Sequence, residues 1–149
     1  GELEPDPASR EYEAAMRATL RSTSGGWPRL DLVLLGLGPD GHTASLFPGT
    51  AALEERTRWV VPGLAPTGIK QRITLTLGVI NQADVVLFLV VGSAKARIVR
   101  DILEHPSSAV DPYPASLVRP AEGRLLWFLD QAAAADLATT KQHLSSREE

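Results

Sequence analysis

The constraint that most narrows the fold of this chain is a pair of apolar runs that each end at a glycine. Leu30 to Leu35 leads into Gly36, and Asp84 to Val91 leads into Gly92. Runs of this kind suit strands buried on both faces of a parallel sheet. The second is followed by SAKARIVRDILE, Ser93 to Glu104, which puts Ala96, Val99, Ile102 and Leu103 on one stripe and offers Ser93 as its cap. That is a strand–loop–helix unit. A third strand is expected at Leu125 to Leu129, with Asp130 capping an Ala-rich helix that frays in the polar tail 139–149. Arg58 to Val61 and Arg72 to Leu77 have strand character, Gly78 to Ala83 that of a short helix, and Asp6-Pro7 opens an amphipathic helix reaching about Leu20. The economical reading is a single α/β domain over 1–149 with a mostly parallel sheet, whose site lies at the carboxyl ends of the strands.

With 44% hydrophobic residues and a net charge of −3, the chain can bury one ordinary core, and nothing suggests a nucleic-acid surface. The longest apolar run, Val85 to Val91, is far too short to span a membrane. The cytoplasm is the default expectation. There is no cysteine, so thiolate nucleophiles, disulfides and thiolate metal sites are excluded. Oligomeric state is not legible. The chain starts Gly-Glu-Leu-Glu, and its only methionine, Met16, lies inside a helical pattern, so it reads as a piece of something longer.

The chemistry concentrates in LDLVLLGLGPDGHTASLFPGT, Leu30 to Thr50. GLGPDG satisfies the dinucleotide spacing, but that fingerprint needs its last glycine to open a long helix facing the pyrophosphate. Here a helix from Thr43 is stopped by Pro48-Gly49 after about one turn. Asp40 would also stand inside the phosphate cradle and repel the ligand. The bland alternative is a tight turn with Asp40 as a cap and His42 as surface polarity. Against it, a histidine at the end of a buried strand, beside a carboxylate and glycines with exposed N–H groups, has the parts of a general base with an orienting acid. Activation of water is the natural chemistry, with the amino end of the short helix favouring an anion.

GLGPDGHTASLFPGT resembles the signature segment of the 6-phosphogluconolactonases, and RITLTLGVINQAD, FLVVGSAKA and LLWFLDQAAA follow in the matching order. The resemblance runs from about Tyr12 to Leu137. It implies a three-layer α/β/α fold with a Rossmann-like sheet, here incomplete on its amino-terminal side. It also implies hydrolysis of 6-phosphoglucono-1,5-lactone in the oxidative pentose phosphate pathway, with no metal and no organic cofactor. By the same resemblance His42 is the general base, Asp40 its loop carboxylate, and Gly38 and Gly41 supply backbone N–H groups to the substrate. Lys95, with Ser93 and the helix amino end beside it, holds the sugar phosphate, and Arg72 or Lys70 assists. The related glucosamine-6-phosphate deaminases have a similar Asp-Gly-His loop followed by a glutamate. Phe47 stands at that position here and cannot carry protons. His105 and His143 read as surface residues. A different class stays open: a non-catalytic or partner-dependent sugar-phosphate-binding fragment.

Overall fold

The computed structural model describes residues 4–23, 25–105 and 113–138, so the polar tail and His143 lie outside the described residues. In chain order the elements are α1 (Pro5–Thr19), β1 (Leu32–Leu35), α2 (Ala51–Glu54), β2 (Val60–Leu64), β3 (Gln71–Leu75), α3 (Leu77–Ile80), β4 (Val85–Val90), α4 (Ala96–Glu104) and β5 (Arg124–Leu129). Short 3₁₀ turns cover Ser93–Lys95 and Pro114–Leu117.

The three runs expected as parallel strands pair in the order β1-β4-β5, with Leu35 opposite Phe88 and Phe88 opposite Trp127. The carboxyl ends of these strands therefore meet at one end of the sheet. Val33, Leu35, Val86, Phe88 and Val90 alternate onto a single buried face and join Ile98, Val99 and Ile102 of α4 in the main core. Phe88 is fully buried, and its ring stacks on Trp127 with centroids 4.1 Å apart. Burial of a side chain of that size contributes roughly 1.5–3 kcal/mol.

The opposite face departs from the expectation that both faces are buried. Leu32, Leu34, Leu89 and Phe128 are 52%, 66%, 61% and 55% exposed. α4 packs on one side only, and among the described residues no strand pairs the free edge of β1. An apolar run records that a face can be buried, not that a neighbour is present to bury it.

β2 and β3 form a separate antiparallel hairpin, with Pro62 opposite Ile73. α1 is tied to it through Glu13, which is 8% exposed. Its Oε2 accepts the Arg58 Nε–H at 2.9 Å and the N–H groups of Trp59 and Val60, while Oε1 accepts Arg17. Burial opposes the charge on Glu13, but the hydrogen bonds from Arg58 and Arg17 outweigh it and hold the carboxyl below the usual range.

Helix boundaries shift where caps were expected. α1 begins at Pro5, and Asp6 lies in the first turn paired with Arg10 at 3.0 Å. Neither Ser93 nor Lys95 makes a side-chain cap, and a 3₁₀ turn precedes α4. The alanine run after Asp130 forms turns over 131–136 rather than an α-helix. Asp130 still accepts the Ala133 N–H at 2.7 Å, and Ala138 is the first residue after β5 described as helical.

Candidate active site

The loop leaving β1 folds back on itself over a few residues. Gly38 N–H donates to the His42 carbonyl (2.8 Å), Gly41 N–H to the Gly38 carbonyl (3.1 Å), and Thr43 Oγ1–H to the Gly36 carbonyl (2.9 Å). Thr43 is 1% exposed, so this last bond anchors the loop inside the protein. Ser45 N–H donates to Thr74 Oγ1 at 3.1 Å, which ties the loop to β3. No helix forms from Thr43. Instead Leu46 N–H closes a turn on the Thr43 carbonyl, with Ala44 at φ 51°, so the expected helix amino end at Thr43 is not formed.

This folding lays the Asp40 and His42 side chains across the Gly38 backbone. Asp40 Oδ1 lies 2.6 Å from His42 Nδ1 and also accepts the His42 N–H at 3.2 Å. A Cβ on Gly38 would fall 2.0 Å from His42 Nδ1 and 2.8 Å from Asp40 Oδ1, which is why the position must be glycine. Gly41 has φ +79°, a conformation that glycine adopts without penalty.

Partial burial works against the Asp40 charge. The hydrogen bonds from the His42 side chain and backbone outweigh it and hold the carboxyl below the usual carboxylate range. An ionised Asp40 can only accept, so Nδ1 carries a proton and donates to it, which in the neutral imidazole puts the lone pair on Nε2. The His42 side chain is 25% exposed, and its ring lies 4.2 Å, centroid to centroid, from the buried Phe47. The imidazole is thus held on one side by a carboxylate and on another by an aromatic ring, with one basic nitrogen left to act.

His42, Gly38 and Gly36 line a cavity of about 570 Å³ that runs along β1, while Asp40, Phe47, Thr50 and Lys70 line another of about 520 Å³. Arg72 is brought to the same group: its guanidinium lies 5.7 Å from the Phe47 ring centroid, and its Nε–H donates to the Ile69 carbonyl. Lys95 and Ser93 follow β4 and so stand at the same end of the sheet. No hydrogen bond or ion pair among the described residues joins them to the loop.

Two sets of backbone donors near the site are engaged within the protein. The N–H groups of Gly38 and Gly41 both hydrogen-bond within the loop. The Gly92 N–H, just after β4, is held by both carboxylate oxygens of Asp130 at 3.0 Å. Asp130 was legible as a cap but not as a clamp on the neighbouring strand's loop, because that contact joins residues far apart in sequence. His105 ends α4 and is exposed.

Comparison with known proteins agrees with the resemblance. The sequence profile described as "Glucosamine-6-phosphate isomerases/6-phosphogluconolactonase" matches residues 1–127. A 6-phosphogluconolactonase of Rattus norvegicus is 44% identical over 133 residues, covering 89% of this chain and 50% of the rat protein. The crystal structure of a devB protein superimposes with a TM-score of 0.84 at 36% identity, covering 92% of this chain and 56% of that one. The 6-phosphogluconolactonase of Trypanosoma brucei, solved in a study of its structure and catalytic mechanism, superimposes at 0.76 with 33% identity, over 91% of this chain and 57% of its own. The chain spans about half the length of these relatives.

Proposed function

Because the chain belongs to the family described as glucosamine-6-phosphate isomerases/6-phosphogluconolactonase, we propose that it carries the catalytic loop of a cytoplasmic 6-phosphogluconolactonase that hydrolyses 6-phospho-D-glucono-1,5-lactone to 6-phospho-D-gluconate in the oxidative pentose phosphate pathway. The observation that carries this reading is the 2.6 Å contact between Asp40 and His42, which leaves Nε2 basic. Nε2 takes a proton from water as the water oxygen attacks the lactone carbonyl carbon. When the tetrahedral intermediate collapses, the bond from that carbon to the ring oxygen breaks. The imidazolium returns its proton to the ring oxygen, which becomes a hydroxyl. Asp40 keeps the ring in the required tautomer and stabilises the imidazolium while it exists. Neither step calls for a metal or an organic cofactor. Arg72, Lys70 and Lys95 supply the cations for the phosphate.

Phe47 sets this loop apart from one suited to deamination. It is 4% exposed and packs on His42, where a proton-carrying side chain would be needed. A second reading, a non-catalytic or partner-dependent sugar-phosphate-binding fragment, is favoured by the uncovered face of Leu32, Leu34, Leu89 and Phe128. The 149-residue chain should hydrolyse the phosphorylated lactone faster than the lactone opens in buffer, and it should release no ammonia from glucosamine 6-phosphate. Hydrolysis at the spontaneous rate, with the sugar phosphate still bound, would select the second reading. Ammonia release would select deamination.

A further inference from the structure

The mechanism leaves Asn81 and the turn Pro114–Leu117 without a role, yet both bear on the loop. The Gly41 carbonyl accepts the Ala115 N–H at 3.0 Å. A Cβ on Gly41 would lie 2.5 Å from Tyr113 Cδ1 and 2.6 Å from Tyr113 Cβ, so the tyrosine fills the side from which a side chain would project. The turn is itself fixed. Ser116 donates its N–H and its Oγ–H to the Tyr113 carbonyl, at 2.8 and 2.7 Å. Asn81 Nδ2–H donates to the Leu117 carbonyl (3.1 Å), Asn81 Oδ1 accepts the Arg119 N–H (2.7 Å), and the Asn81 carbonyl accepts the Ala121 N–H (2.9 Å).

Asn81 directly follows α3, and α3 follows β3, whose Thr74 holds Ser45 on the far side of the same loop. One β3–α3 unit therefore grips the loop at both ends: at Ser45 directly, and at Gly41 through the turn.

We propose that Asn81 and Tyr113 are positioning residues for the Asp40–His42 pair, an inference that rests on reading that pair as the general-base machinery. Asn81 fixes residues 117–121, the turn presents Tyr113 and Ala115 to Gly41, and Gly41 sets the relation between the two side chains it separates. The Asn81 side chain gives one donor and accepts one N–H, which a carboxamide does and a carboxylate cannot. The contact of Tyr113 with Gly41 is made by its ring and Cβ, so phenylalanine serves in its place.

The test reads His42 directly, in the 149-residue chain labelled with ¹⁵N-histidine, through the Nδ1–H proton held by Asp40 and its exchange with solvent. Asn81→Asp and Tyr113→Ala should each speed that exchange or abolish the signal. They should lower kcat for lactone hydrolysis by up to about 10² with KM unchanged, the scale of a misplacement near 1 Å. Tyr113→Phe should keep both the signal and the rate. If Tyr113→Ala does not fold, Tyr113→Leu, which keeps bulk but not the ring, replaces it with the same expectation. Folded variants at both positions with the parent's Nδ1–H signal and exchange would overturn the proposal, as would loss of the signal in Tyr113→Phe. If the parent hydrolyses no lactone, the proposed function fails, while the proton signal still decides the positioning role.

Discussion

Replacing Gly38 by alanine adds one methyl group and should dismantle the catalytic pair. The new Cβ would stand 2.0 Å from His42 Nδ1, 2.2 Å from Cε1 and 2.8 Å from Asp40 Oδ1. Carbon and nitrogen at contact need roughly 3.5 Å, so the imidazole must retreat by about 1.5 Å. A 2.6 Å bond stretched by that amount lies well past the roughly 3.2 Å limit of a hydrogen bond. Because the His42 side chain is 25% exposed, the ring can swing outward rather than disrupt the core. The stability cost is then the lost charge-assisted bond, about 1.5–3 kcal/mol, and the domain stays folded. Hydrolysis should fall by at least about 10², approaching the loss of the base itself. The matched control is Gly36→Ala: nothing lies within 4 Å of the added Cβ, so stability and the His42 Nδ1–H signal should hold. The assay is kcat/KM on the phosphorylated lactone beside the His42 Nδ1–H proton signal. A Gly38→Ala chain that keeps both would refute the claim that close approach across Gly38 builds the pair.

Asp40→Asn should lower kcat by about 10² to 10⁴ while the melting temperature changes little, because an amide no longer enforces the Nδ1–H tautomer. Lys95→Ala should reduce kcat/KM for the phosphorylated lactone by about one to two decades and leave the activity on gluconolactone unchanged. An equal loss on both substrates would move the phosphate site to Arg72 and Lys70. Glu13→Ala orphans Arg58 and the Trp59 and Val60 N–H groups and should cost about 3 kcal/mol in urea unfolding at neutral pH. Because the folded Glu13 carboxyl titrates below its unfolded value, its contribution is complete above the unfolded carboxylate range, near pH 4.3, and is lost as the pH falls through the folded value. Glu13→Gln should therefore flatten the acid limb of stability, and an unchanged limb would contradict the clamp.

What the sequence disclosed was local in origin. Uninterrupted apolar runs located β1, β4 and β5, and the glycine-aspartate-glycine-histidine order showed where the chemistry lies, since both are patterns over a few neighbouring residues. The outward faces of Leu32 and Leu34 were not legible, because exposure depends on which layers are present. The grip of Tyr113 on Gly41 and of Asp130 on Gly92 joins segments that only the fold makes adjacent. The need for glycine at Gly38 itself was not legible in the sequence. The structure assigns that need to the absent Cβ, over which Asp40 and His42 fold. The Ser93 cap failed for a subtler reason: the 3₁₀ turn Ser93–Lys95 displaces the start of α4 to Ala96, past the reach of that hydroxyl.

The most direct test of the account is the rate of 6-phosphoglucono-1,5-lactone hydrolysis by the parent chain and by His42→Ala, each corrected for spontaneous opening in the same buffer. The parent should catalyse hydrolysis, and the variant should lose about 10² to 10⁴ in kcat while staying folded, with its thermal transition lowered by no more than the lost Asp40–His42 bond accounts for. A folded His42→Ala chain that hydrolyses the lactone as fast as the parent would contradict the account.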